Sequence, residues 1–132
     1  MNGKKSVLVI EDEKLLLHAI TRKLELNGLS VIATTSGKEA LEILKNAQKL
    51  PNAIWLDYYL KDMNGLEFMN AFKANDKWLG IPTIVVSNSA SPDNVSSMLA
   101  LGVKKYYLKA EHRLEDIIEV VKKIIRENHN SN

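Results

Sequence analysis

The chain has 132 residues, 45% hydrophobic and 26% charged, with a net charge of +2. That length fits one domain over residues 1–132, and the absence of cysteine excludes a disulfide scaffold, thiol chemistry and cysteine-based zinc sites. No apolar run approaches a bilayer span, no signal peptide is legible at the start and no basic block stands out, so the expectation is a cytoplasmic protein with no membrane insertion and no direct nucleic-acid contact.

Ser6-Val7-Leu8-Val9-Ile10 is an apolar run ended by Glu11-Asp12-Glu13, which predicts a first strand with acids at its carboxyl end. Leu16, Leu17, Ile20 and Leu24 then recur at helical spacing, and Asn27-Gly28 supplies a stop. Ser30 to Thr34 reads as a short second strand. Ser36 caps the next helix, with Glu39 at the spacing of a capping box, and Ala40, Leu41, Leu44 and Ala47 form its apolar stripe. Pro51 leads into Asn52-Ala53-Ile54-Trp55-Leu56-Asp57, a strand apolar on both faces that belongs in a sheet covered by helices on both sides.

A loop from Tyr58 to Asn64 ends at Gly65, and Leu66, Met69 and Phe72 stripe a third helix. Pro82 to Val86 is a fourth strand, ended by Ser87-Asn88-Ser89. Ser91-Pro92 is an N-cap followed by proline at the first helical position. Val95, Met98 and Leu99 stripe the fourth helix, and Gly102 ends it. Lys105 to Leu108 is a fifth strand, ended by Lys109, with one of Tyr106 and Tyr107 expected to pack and the other to be exposed. Ile117, Val121, Ile124 and Ile125 stripe a last helix, and the polar tail 127–132 is expected to fray. Five strands alternating with five helices predict an α/β fold with one parallel sheet and helices on both faces.

In such a sheet all carboxyl ends share one edge, where open α/β sheets place their ligands. Glu11, Asp12, Asp57, Ser87 and Lys109 then converge on one crevice. Two like charges about 4 Å apart cost roughly 4 kcal/mol at an effective dielectric of about 20, so three close carboxylates call for a cation. All-oxygen ligands suit a hard divalent ion, Mg²⁺ before Ca²⁺. A metal, a lysine and a hydroxyl around an in-line carboxylate nucleophile make a site for phosphoryl transfer, with Asp57 forming an aspartyl phosphate. Each residue alone has a plainer reading: Glu11 to Glu13 as favourable charges at a helix N-terminus, Asp57 as a turn residue, Ser87 as a cap, Lys109 as a solvated cation. Their convergence is what argues for a site. His18, His112 and His129 show no ligand spacing.

Over about residues 5–126 the chain resembles the receiver domain of two-component response regulators. The matching text is Val7-Leu8-Val9-Ile10-Glu11-Asp12-Glu13, Leu56-Asp57-Tyr58-Tyr59-Leu60 followed by Met63-Asn64-Gly65, Val85-Val86-Ser87, and Gly102 with Tyr106-Tyr107-Leu108-Lys109. The resemblance implies the flavodoxin-like strand order 2-1-3-4-5. It makes Asp57 the phosphoacceptor and Asp12 a direct Mg²⁺ ligand, with Glu11 holding the ion through water and the backbone carbonyl of Tyr59 completing the protein ligands. Ser87 and Lys109 would bind phosphoryl oxygens, and the ring of Tyr106 would move inward as the Ser87 hydroxyl turns to the phosphate. The implied donor is a histidine kinase or histidine phosphotransfer protein. The output would run through the fourth helix, fifth strand and fifth helix to an unknown downstream protein. Self-phosphorylation and self-dephosphorylation would be the only catalysis.

Two positions depart from the family pattern. Ala110 stands where a proline, in a cis peptide bond, usually follows the lysine, so a trans bond is expected. Lys61 stands where proline usually stiffens the loop after the phosphoacceptor. These departures leave open a receiver-fold interaction module that needs no phosphate. A haloacid-dehalogenase-type phosphatase also uses a strand-end aspartate, but it wants a second one two residues on, where this chain has Tyr59.

Overall fold

The structure, a computed structural model, describes residues 3–130. Its elements in chain order are β1 (Ser6–Ile10), α1 (Lys14–Leu26), β2 (Ser30–Thr34), α2 (Gly37–Asn46), β3 (Ala53–Leu56), α3 (Gly65–Lys73), β4 (Thr83–Ser87), α4 (Pro92–Ala100), β5 (Lys105–Leu108) and α5 (Leu114–Asn130). The strands are all parallel, in the order β2-β1-β3-β4-β5. Strand residues alternate between two cores because successive side chains leave opposite faces of a sheet. Leu8, Ile10, Ile54, Leu56 and Val85 pack with Ala40, Leu44, Phe68, Met69, Phe72 and Met98 from α2, α3 and α4. Val7, Val9, Trp55, Ile84 and Val86 pack with Ile20, Leu24, Ile117, Ile118, Val121 and Ile125 from α1 and α5.

Helix starts follow local chemistry. Ser36 accepts from the Glu39 N–H at 2.9 Å and Ser91 from the Asn94 N–H at 3.1 Å, each satisfying an orphan donor of the first turn. Gly28 and Gly102, the expected stops, take φ of +83° and +98°, the left-handed region that a side chain disfavours.

Several expectations need correction. The box at Ser36 is only half made: the Glu39 carboxylate takes the Thr34 hydroxyl, and the Ser36 N–H turns to Thr34 Oγ1. The complete capping box lies at Asn64 and Glu67, with both reciprocal bonds at 2.9 Å. Ala47 falls just past α2. Leu99 lies 47% exposed rather than in the stripe of α4. Tyr106 and Tyr107 are both half-buried, each against a different core, because both faces of β5 are partly covered. The expected tail is helical through Asn130, with Asn128 Nδ2 donating to the Gly80 carbonyl at 3.2 Å. Residues 131 and 132 and the side chain of His129 lie outside the described residues.

Candidate functional site

The sheet register assembles the site. Ile10 pairs with Leu56, and the Asp57 N–H donates to the Ile10 carbonyl at 2.9 Å, so the next residues, Glu11 and Asp57, leave the sheet side by side. Ser87 pairs with Leu108, which brings Lys109 to the same edge.

Glu11 and Asp57 are buried, and Asp12 is half-buried. These three carboxylates each offer an oxygen within 4.8 Å of the others. Lys109 Nζ reaches Glu11 Oε1 at 3.0 Å and Asp57 Oδ2 at 3.6 Å. The second Glu11 oxygen accepts from the Glu13 N–H at 3.0 Å. Asp57 Oδ1 accepts a long bond, 3.4 Å, from the Tyr59 N–H.

Burial, then the neighbouring Glu11 charge, pushes the Asp57 carboxyl up to about 7, against the opposing pull of Lys109. Burial works to lower the Lys109 ammonium, but its bond to Glu11 and the charge of Asp57 outweigh that and hold it above the usual lysine range. One ammonium thus faces three carboxylates. The cluster is short of positive charge, and its donor atoms are all oxygen, so it fits a hard divalent cation. Lys109 also lines an apolar cavity of about 150 Å³, together with Leu16, Ile20, Val86, His112, Leu114 and Ile117.

The remaining expected residues surround this cluster. Ser87 is fully buried, and its Oγ accepts from the Ser89 N–H at 3.4 Å. Tyr106 Oη donates to the Ser89 carbonyl at 3.0 Å, and burial raises its phenol. Tyr59 forms a bridge with Asn64 in which the ladder bonds fall on its neighbours: Gly65 N–H to the Tyr58 carbonyl and Leu60 N–H to the Met63 carbonyl. The Tyr59 carbonyl is left clear of them. The Lys109–Ala110 bond is trans, as expected, and opens a single 3₁₀ turn at Lys109–Glu111.

Two features of the site escape a sequence reading. Tyr58, buried, packs edge-on to Tyr59 with ring centres 4.8 Å apart and lies 6.2 Å from the Tyr106 ring. Asp62 accepts from the Gly37 and Lys38 N–H groups at 3.1 and 2.9 Å and from the Ser36 hydroxyl at 3.3 Å. Burial opposes its charge, yet the N–H donors of Lys38 and Gly37 hold its carboxyl below the usual range. Nothing local to Asp62 announces a partner 25 residues away.

The profile of the response regulator receiver domain matches residues 7–122. The chain belongs to the response regulator receiver family. It is 29% identical over 120 residues to the sensor histidine kinase CheAY of Helicobacter pylori, covering 91% of this chain and 15% of that one. It is 28% identical over 120 residues to the two-component response regulator ORR7 of rice (Oryza sativa subsp. japonica), covering 91% of this chain and 56% of that one. The chain thus spans about half or less of the length of these two curated relatives. Against the solved receiver domain from Methanospirillum hungatei it gives a TM-score of 0.88 at 26% identity, covering 98% of this chain and all of that one. Receiver domains are generally signalling modules rather than enzymes. They generally bind Mg²⁺ at an acidic pocket, and Glu11, Asp12 and Asp57 form an acidic group here. Among the described residues no helix is long and apolar enough to cross a membrane.

Proposed function

We propose that this receiver domain takes a phosphoryl group onto Asp57 from a phosphohistidine of a kinase or phosphotransfer protein, in a Mg²⁺-dependent reaction. The observation that carries this reading is the convergence of Glu11, Asp12 and Asp57 within 4.8 Å at a sheet edge that also holds Lys109. A carboxylate oxygen of Asp57 attacks phosphorus, the P–N bond breaks, and its electron pair leaves with the imidazole, which takes up a proton. Water attack on the aspartyl phosphate later returns the carboxylate and inorganic phosphate.

Asp12, Asp57 and the Tyr59 carbonyl are the residues that would hold Mg²⁺. Glu11 would act through water, because both of its oxygens are already engaged by Lys109 and Glu13. The ion supplies charge neutralisation at the carboxylates and at the phosphoryl oxygens. Lys109, 3.6 Å from Asp57, takes a second share of the phosphoryl charge, and the Ser87 hydroxyl a third. The Ser87 hydroxyl turning to the phosphate would free room for the Tyr106 ring, now tied to the Ser89 carbonyl. That shift would alter the face made by α4, β5 and α5, where Leu99 is exposed and Tyr106 half-buried, and a downstream protein would read it.

Intact mass after incubation with acetyl phosphate tests the reading. A single Mg²⁺-dependent phosphate adduct, absent from Asp57→Asn, is the expected result. No adduct after prompt quenching would overturn it in favour of a phosphate-independent interaction module.

A further inference from the structure

We propose that Asp62 is a positioning residue that holds the Tyr59 carbonyl in place for Mg²⁺ by pinning the β3–α3 loop to the start of α2. The inference rests on the functional reading above and extends it to a residue that touches neither metal nor phosphate.

The loop from Tyr58 to Gly65 is a small hairpin. Tyr59 bridges Asn64, with ladder bonds of 2.6 Å from Gly65 N–H to the Tyr58 carbonyl and 3.1 Å from Leu60 N–H to the Met63 carbonyl. Lys61 and Asp62 therefore form its tip. Lys61 is exposed and, not being proline, leaves its own φ free. The tip needs another anchor, and Asp62 supplies it. Its two oxygens accept from two successive N–H groups in the first turn of α2 and from the Ser36 hydroxyl. Those N–H groups are orphans of the helix start and carry the positive end of its dipole, so a carboxylate there is favoured even before its hydrogen bonds are counted. Met63 completes the dock. It packs over Gly37 so closely that an added Cβ there would lie 2.6 Å from Met63 Sδ.

This clamp touches α2 at one end, while the other arm of the hairpin leads back through Tyr59 to Asp57. Fixing the tip restricts the tilt of the Tyr59 peptide and hence the direction of its carbonyl. A ligand that is already oriented loses less entropy on binding the ion.

The test compares the natural chain with Asp62→Ala, Asp62→Asn and Ser36→Ala. Hydrogen exchange of amides 58–65 is followed without metal, and Mg²⁺ affinity is measured by calorimetry with Mg²⁺ alone. Asp62→Ala is expected to speed exchange across 58–65 and to raise the Mg²⁺ dissociation constant about fivefold. Asp62→Asn, which keeps an acceptor oxygen, is expected to fall between. Phosphorylation by acetyl phosphate at saturating Mg²⁺ should return to within about twofold of the natural chain. Ser36→Ala removes the N-cap of α2 and the longest of the three bonds to Asp62, at 3.3 Å, but leaves both backbone bonds, so it should lower thermal stability while changing Mg²⁺ affinity far less than Asp62→Ala does. Unchanged affinity in Asp62→Ala, or an equal loss in Ser36→Ala, would overturn the proposal by reducing Asp62 to a helix cap. If the natural chain binds no Mg²⁺, the functional reading fails, and unchanged loop exchange in Asp62→Ala would separately overturn the anchoring role.

Discussion

Lys109 Nζ lies closer to Glu11, at 3.0 Å, than to Asp57, at 3.6 Å. The lysine that would meet the phosphate is thus also the counter-charge of a carboxylate only 1% exposed. Removing one partner of a buried ion pair leaves the other uncompensated, at a cost of about 3–5 kcal/mol. Lys109→Met is therefore expected to destabilise the metal-free protein by about 3 kcal/mol in urea unfolding, and the loss should shrink in millimolar Mg²⁺. Glu11→Gln in the Lys109→Met background should recover most of it. A loss below about 1 kcal/mol without metal would show that water reaches Glu11 freely.

Asp57 makes stability depend on pH. Its carboxyl titrates near 7 in the folded chain, against an ordinary value of 3.8, because burial and Glu11 disfavour its charge. Between those values the folded state binds more protons than the unfolded one, so this group's contribution is fully present below about pH 3.8 and is lost as pH rises through about 7. Asp57→Asn has no such loss. In EDTA, the variant should gain about 2 kcal/mol on the natural chain between pH 5 and pH 8, read from melting or urea midpoints. Saturating Mg²⁺ should narrow the gap, since a cation favours the charged form. A gap that does not change with pH would mean that Asp57 titrates as an ordinary surface carboxylate.

The strands and their order of charges were legible because the signal is local. Each apolar run ends in the residue that the sheet then delivers to one edge, so Glu11, Asp12, Asp57 and Lys109 could be gathered from text alone. The strand order came from resemblance and not from any run of residues. What stayed hidden depends on partners distant in sequence or on coverage by a neighbouring element. Asp62 caps a helix 25 residues earlier. Tyr107 is half-buried because the α1 and α5 core reaches past it, which no alternation within a four-residue strand reveals. Trp78 is buried from a 3₁₀ turn of three residues, too short to carry a period. The Asn64–Glu67 box was visible in principle, since asparagine followed three residues later by glutamate is a capping signature.

That box makes a prediction of its own. Asn64 both caps α3 and closes the hairpin opposite Tyr59. Asn64→Ala removes the acceptor of the Glu67 N–H and should cost about 1 kcal/mol in urea unfolding. Asn64→Asp keeps an acceptor and adds a favourable charge at the helix start, so it should restore or exceed the natural stability. Equal losses in both variants would show that the asparagine amide, rather than its acceptor oxygen, is what the loop requires.

Thr83 offers a change in the opposite direction. It opens β4, is 2% exposed and pairs across to Ile54, yet its hydroxyl has no hydrogen-bond partner among the described residues. A buried hydroxyl without a partner costs about 1–3 kcal/mol on protein scales. Valine has nearly the same shape, keeps the β-branched preference of a strand and brings no polar atom. Thr83→Val should therefore raise stability by about 1 kcal/mol and move the melting midpoint up by a few degrees. Thr83→Ser keeps the hydroxyl and loses a methyl group, so it should be less stable than the natural chain. If valine instead destabilises, the hydroxyl must be satisfied in solution by a bound water that the substitution would expel.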